Sequence, residues 1–384
     1  MHHLKTTSSF LQFGLQDLVN HCQRHISKHP FRLARPAVLA VVWLFALPGS
    51  YASALTISDV KTGLVSTKSA IIRWKTDLEA DGRLSYGVST NCGSAVVEAE
   101  PTKDHYVFLD NLTPGTTYHY RVQSRGVTSV DGSFTTADKV EDLWPVVSLS
   151  FDDGHISHFT TAYPLMKARN MRGMVNVITD RLAKPVGMSL AQVRFLQQQG
   201  WEIGSHSRAH NRVKGLTDED EVVGSITYLE TNGIKNVTGY RVPGSNHSKA
   251  REALAAQHYP LRWGNVKGDP SSPRYAALPI APGMYAGVAL DFRNTASIEE
   301  RVAKYKSAID EMLARRLHVH FIFHAIVETT PEGYSYPPAE FEALLDYLQA
   351  KGIKVIPPGE LLQKEAPSNP SGGLVSPKSG TRLN

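Results

Sequence analysis

Val146-Val147-Ser148-Leu149-Ser150-Phe151-Asp152-Asp153-Gly154 is an apolar run that ends in two carboxylates and a glycine. The run reads as a buried strand closing in a glycine turn, which sets both carboxylates at its C-terminal mouth, where α/β barrels keep their chemistry. About fifty residues on, a second apolar stretch, Trp201-Glu202-Ile203-Gly204, is followed by His206-Ser207-Arg208-Ala209-His210. The i,i+4 spacing, read as one helical turn, points two imidazoles the same way. Asp153, His206 and His210 then form an expected three-ligand metal site with positions open for water and substrate, and the neighbouring carboxylate is free to take a proton. Each part alone is ordinary: Asp-Asp-Gly is a common turn, and a surface helix often carries two histidines. Their order, each at a strand end, points to a metal-dependent hydrolase.

Two more strand ends extend the pattern. Arg241-Val242-Pro243 follows Val237-Thr238-Gly239-Tyr240, and His324 closes Val319-His320-Phe321-Ile322-Phe323. Taken in order, Phe-Asp-Asp-Gly, His-Ser-x-x-His, Arg-x-Pro and a late strand-end histidine resemble the polysaccharide deacetylases of carbohydrate esterase family 4, the NodB-like enzymes. The resemblance runs from about Trp144 to Leu362 and implies a distorted, incomplete (β/α) barrel.

The resemblance further implies a role for each residue. Asp153, His206 and His210 would hold a divalent ion, zinc with cobalt as a possible substitute, and Asp152 would be the general base. His324 would be the general acid, a task suited to an imidazole. Arg241 would pair with Asp152 and keep it ionised. The oxyanion donor would be the backbone N–H of the residue after Pro243, here Gly244, where many relatives carry an aromatic that walls the sugar pocket. No clean Asp-x-x-Asp-Trp motif is present; Trp263 is a candidate pocket wall, with a core tryptophan as the alternative, and Asp269 a candidate orienter of Arg241. His320 shares the face of His324 but not the strand end, and reads as a packed or solvated histidine. The implied substrate is an acetylated polysaccharide whose N-acetyl groups are removed: peptidoglycan, a chitin-like chain or poly-N-acetylglucosamine. An O-acetyl esterase of the xylan type and a non-catalytic carbohydrate-binding or adhesion protein are the alternatives.

The 384 residues are 41% hydrophobic and 20% charged, which is enough for a large core and a smaller companion domain. The net charge of +5 is concentrated in residues 1 to 54; without them 36 basic residues face 35 acidic ones. A balance that small, with no basic stripe, excludes an electrostatic case for nucleic-acid binding. Arg32 and Arg35 precede an apolar run from Pro36 to Pro48, and Ala52-Ser53-Ala54 supplies small residues at cleavage positions. This reads as a signal peptide cleaved after Ala54, too short for a comfortable membrane span, with the protein secreted to the periplasm or beyond. A retained anchor is the other reading, since the region before Arg32 is long for a signal. Cleavage removes Cys22 and leaves Cys92 alone, expected to be buried and inert.

Between the signal and the catalytic segment, residues 55 to 137 alternate apolar and polar at sandwich spacing. Ala70–Trp74, Arg83–Val88, His105–Leu109 and Thr117–Val122 read as strands separated by Gly, Asn, Asp and Pro turns. Leu112-Thr113-Pro114-Gly115 leading into Tyr118, with Trp74 upstream, resembles a fibronectin type III domain, an immunoglobulin-like sandwich in which Tyr118 would make the corner contact. Residues 138 to 143 read as a linker. The segment 144 to 363 then alternates helices (Thr160–Asn170, Ser189–Gln199, Ile298–Leu313, Ala339–Ala350) with strands such as Val175–Ile178, the pattern of a parallel sheet or barrel. The Ser-, Pro- and Gly-rich stretch 364 to 384 has little to bury and reads as a disordered tail.

Overall fold

A computed structural model describes residues 55–266, 272–291, 297–330 and 333–362. The expected signal peptide, Cys22, Asp269 and the tail from 364 onward lie outside the described residues.

The N-terminal domain is a set of antiparallel strands: β1 (Ile57–Val65), β2 (Ala70–Gly87), β3 (Ser94–Leu109), β4 (Thr117–Ser124), β5 (Val127–Thr128) and β6 (Gly132–Thr135). Two stretches expected as separate strands, Ala70–Trp74 and Arg83–Val88, are one continuous strand β2 of 18 residues. Its register against β3 shifts between Lys75, Ala80 and Gly82, so the first half pairs with β1 and the second with β4. Such irregularities bend a strand and let it turn its inner face around one core. That core holds Ile72, Trp74, Leu84, Val107, Tyr118, Val122 and Phe134. Trp74 Nε1 donates to Ser124 Oγ at 3.2 Å, and the Tyr118 hydroxyl accepts from the backbone N–H of Thr113 at 3.0 Å, the expected corner contact. Cys92 is half-buried rather than buried, at φ 48° in the turn after Gly87.

The stretch 138–143, read as a linker, contains a 3-10 turn, Val140–Leu143. Leu143 is buried with Val146, Met174, Leu261 and Trp263.

The second sheet carries β7 (Val146–Phe151), β8 (Met174–Val177), β9 (Glu202–Ser205), β10 (Gly239–His247), β11 (Leu261–Val266), β12 (Tyr275–Ala276), β13 (Gly283–Tyr285), β14 (Val288–Ala289), β15 (His318–Phe323) and β16 (Lys354–Val355). Its order is β12-β15-β7-β8-β9-β10-β11-β13, with β14 beside β15 and β16 beside β7; every pairing is parallel except β12 with β15. No ladder joins β13 back to β15 among the described residues, so the barrel is incomplete and distorted. β7, β8 and β15 are buried along their whole length, as strands covered on both faces must be. The Phe151 ring sits at the centre of the packing, 5.5 Å from Trp201, 5.6 Å from Phe323 and 5.7 Å from Phe341, centroid to centroid. The flanking helices match expectation closely: Leu190–Gln198 starts at a Ser189/Gln192 capping box, and Ile298–Arg315 and Pro338–Ala350 run as their apolar spacing requires.

The sandwich and the barrel share polar contacts as well as chain. Arg172, fully buried, bonds Glu360 through both terminal nitrogens, Ser69 Oγ at 3.1 Å and the Gly200 carbonyl at 3.2 Å, and lies 4.7 Å from the Phe108 ring centroid. Burial would raise the Glu360 carboxyl, but Arg172 more than offsets it and holds the group below its usual range.

Candidate active site

Residues on or just beyond β7, β8, β9, β10, β14 and β15 converge on one site. Asp152 follows β7, and its backbone N–H donates to the Phe323 carbonyl at 2.8 Å, one step beyond the β7–β15 ladder. Its carboxylate is 1% exposed and fully engaged: Oδ1 accepts from Asn176 Nδ2 on β8 at 2.9 Å, and Oδ2 from Arg241 Nε on β10 at 2.8 Å. Burial alone would raise this carboxyl, but Arg241, His206, His324 and the Asn176 bond outweigh it and hold it well below the usual carboxylate range. Arg241 is itself fixed by the Trp263 carbonyl at 3.0 Å and Ser245 Oγ at 2.7 Å.

Asp153 has φ 74° and Gly154 φ 67°, so the chain reverses sharply at the strand end and turns the second carboxylate away from the first. His206 Nε2 lies 3.4 Å and His210 Nε2 4.0 Å from Asp153 Oδ1. The pair was expected on a helical turn; it sits instead in a loop with Ser207 at φ 67°, His210 at φ 56° and Asn211 at φ 56°. That loop still brings the two rings to 4.7 Å between centroids, because its backbone is tied down from several sides. Glu221, 1% exposed, accepts from the N–H groups of Ala209 at 2.9 Å and Asn211 at 3.1 Å, and Ser207 Oγ accepts from His210 N–H at 2.9 Å.

The donor set fits a divalent cation. His206 Nδ1 bonds the Arg241 carbonyl at 2.8 Å; a carbonyl only accepts, so Nδ1 carries the proton and Nε2 presents a lone pair. Asp153 Oδ1 is buried without a hydrogen-bond partner. One ligand atom from each of Asp153, His206 and His210 lies within 4.8 Å of the others. Burial pushes His210 down to about 4 and lowers His206, so both imidazoles are neutral, as ligation requires. Arg181 Nη1 holds the other Asp153 oxygen at 3.1 Å.

His324, one residue beyond β15, keeps its side chain 20% exposed and is held by Asp291 and His158. Its Nδ1 lies 3.0 Å from Asp291 Oδ1, its backbone N–H donates to Asp291 Oδ2, and its carbonyl accepts from His158 Nε2 at 2.8 Å. Burial acts to lower this imidazole, yet the Asp291 carboxylate outweighs it and pushes it up to about 9. His324 is therefore protonated at neutral pH with Nε2–H available.

Of the remaining expected residues, Pro243 is buried and Gly244 exposed, in the irregular part of β10 where the register with β11 slips. Gly244 has φ 66° and open space where a Cβ would stand. Trp263 is not a pocket wall: it is 2% exposed and stacks on His320 at 4.4 Å, serving the site only through its carbonyl. His320 is buried and bonds Ser150 Oγ at 2.8 Å, which makes it a packed histidine. Asn176, Asp291, Glu221 and Arg181 were not foreseen. A signal existed for Asp291, because Val288-Ala289-Leu290-Asp291 is a short apolar run ending in a carboxylate, like the run before Asp152.

Parts of the chain are similar to known proteins. Residues 139–260 match the polysaccharide deacetylase family model. Residues 57–136 match the purple acid phosphatase N-terminal domain model, which is a β-sandwich. The putative polysaccharide deacetylase YxkH of Bacillus subtilis is 28% identical over 75 residues, which are 20% of this chain and 27% of that protein. The chain thus spans about a quarter of the length of that curated relative. Among solved structures, a Streptococcus pyogenes deacetylase in complex with acetate is 25% identical, with a TM-score of 0.30, over 31% of this chain and 56% of that one. A family 4 acetyl xylan esterase from Clostridium thermocellum in complex with a cobalt ion is 17% identical, with a TM-score of 0.38, over 56% of this chain and 89% of that one. Residues 139–260 are thus similar to polysaccharide deacetylases, and a β-rich N-terminal domain precedes them.

Proposed function

We propose that this chain is an exported, metal-dependent polysaccharide deacetylase that hydrolyses N-acetyl groups on an amino-sugar polymer, with zinc at Asp153, His206 and His210. The observation that supports the reading is the proximity of that three-ligand cluster to an ionised Asp152 and a protonated His324.

A divalent ion held there would lower the pKa of a ligated water and polarise the acetyl carbonyl. The chain's own groups do the rest. Asp152, kept anionic by Arg241, takes the proton of the attacking water; its two fixed hydrogen bonds aim it without neutralising it. His324 gives its Nε2 proton to the departing amine, which is a poor leaving group until protonated. The Gly244 N–H, three residues beyond Arg241 at an exposed position of β10, would donate to the developing oxyanion. A binding-only protein has no physical need for a buried base and an opposed acid.

Signal cleavage after Ala54 and secretion belong to the same reading. So does the fibronectin-like character of the sandwich, supported by the Tyr118 corner contact. The test is acetate release from N-acetylglucosamine oligomers, peptidoglycan fragments and acetylated xylan, with and without a chelator. Release from the amide substrates, abolished by chelation and restored by zinc or cobalt, is expected. Release from xylan alone would make the protein an O-acetyl esterase, and none from any glycan would end the enzymatic reading.

A further inference from the structure

An aromatic ring beside His324 has no part in the proton-transfer scheme. The Tyr334 ring lies against the His324 ring, with centroids 5.0 Å apart and planes inclined at 39°. Tyr334 is half-buried, whereas the next two residues, Ser335 and Tyr336, are buried. These neighbours fix it: Ala325 and Ser335 form a parallel bridge, Tyr336 N–H donates to the Ala325 carbonyl at 2.9 Å, and the Tyr336 ring packs on Phe323 at 5.2 Å. Tyr334 is therefore an aromatic face presented beside the proton donor by a segment that is itself anchored in the core, with little rotamer freedom left to lose on binding. Gly244 contributes no side chain, and Trp263 is buried in β11.

We infer that Tyr334 is a specificity-determining residue: the apolar C–H face of the amino-sugar ring bearing the scissile acetamide packs on its ring, setting the departing nitrogen next to His324 Nε2. This deepens the deacetylase reading and rests on it. A flat aromatic face beside the acid selects a cyclic leaving group; a small acyclic amide or an aryl acetate has no saturated ring to lay on it. The contribution is to binding and alignment of the sugar and not to the proton transfer.

Steady-state kinetics on an N-acetylglucosamine oligomer and an aryl acetate test this with Tyr334→Ala and Tyr334→Phe, alongside calorimetric binding of the intact oligomer to zinc-loaded Asp152→Asn protein with and without Tyr334→Ala. The expected result is a KM for the oligomer raised about tenfold or more in Tyr334→Ala, a smaller change on the aryl acetate, rescue by Tyr334→Phe, and oligomer binding weakened by a similar factor. An equal loss on both substrates with a shifted alkaline pH limb would overturn the inference, since Tyr334 would then act through His324. Unchanged oligomer binding would overturn it as well. Absence of wild-type acetate release defeats the proposed function instead, and the binding arm still decides the role of Tyr334.

Discussion

Asp291 grips His324 twice, at the ring through Nδ1 at 3.0 Å and at the backbone N–H, so one carboxylate sets both the charge and the position of the acid. Because this imidazole is raised to about 9, it is protonated below that value and loses its proton as pH rises through it. The alkaline limb of kcat/KM against pH should accordingly fall near 9. Asp291→Asn should move that limb toward the ordinary histidine value of about 6.5 and lower kcat/KM at pH 8 by about 10- to 100-fold. A limb left in place would show that Asp291 is a structural tether only.

His206→Ala and His210→Ala should each empty the metal site while the fold survives. Elemental analysis and circular dichroism measured together check this; full metal occupancy in either variant would defeat the ligand assignment.

Asp152→Asn should keep the ion and lose most turnover, by about 100-fold or more, because the base is gone while Asp153 still ligates. Asp153→Asn should lose the ion itself. The reverse result, by metal content, would exchange the roles of the two aspartates.

Glu221 holds the 208–211 backbone from outside the site, through bonds to Ala209 and Asn211. Glu221→Ala should weaken metal affinity by about 10- to 100-fold, read by competition with a chromogenic chelator, as loss of the groups that orient a ligand does. Unchanged affinity would mean that Ser207 and the neighbouring strands hold His210 unaided.

The contacts between sandwich and barrel alter what truncation should do. A chain starting at Asp138 would uncover Arg172, which the full chain buries against Ser69 and Phe108. That chain should melt at a lower temperature than the whole protein. In the full chain, Arg172→Ala should cost about 1–3 kcal/mol in denaturant unfolding, because it empties a fully buried position and takes the counter-charge from Glu360, which is partly exposed and keeps its Ser69 bond. A truncated chain with an unchanged melting temperature would show the two domains to be energetically independent.

The sequence alone determined whatever is local in the chain. Apolar runs ending in Asp152, His206 and His324 placed those residues at strand mouths, and the Ser189 and Ile298 helices follow from caps and spacing within one segment. Tertiary structure decided what depends on distant segments meeting. Asp291 reaches His324 across 33 residues, Asn176 reaches Asp152 across 24, and Ser69 reaches Glu360 across 291. No periodicity encodes such pairings. Glu221 lies in the acidic run Asp218-Glu219-Asp220-Glu221, in which each residue reads equally as a helix N-terminal charge, and only packing shows which one is buried. The same reason explains the failure at His206 and His210. Four-residue spacing suggested a helix, whereas a left-handed Ser207 and bonds from Glu221 brought the rings together in a loop. Trp263 stayed open between pocket wall and core for the same reason: an indole serves either with the same sequence signature, and its stacking on His320 follows only when β11 and β15 come together across the barrel.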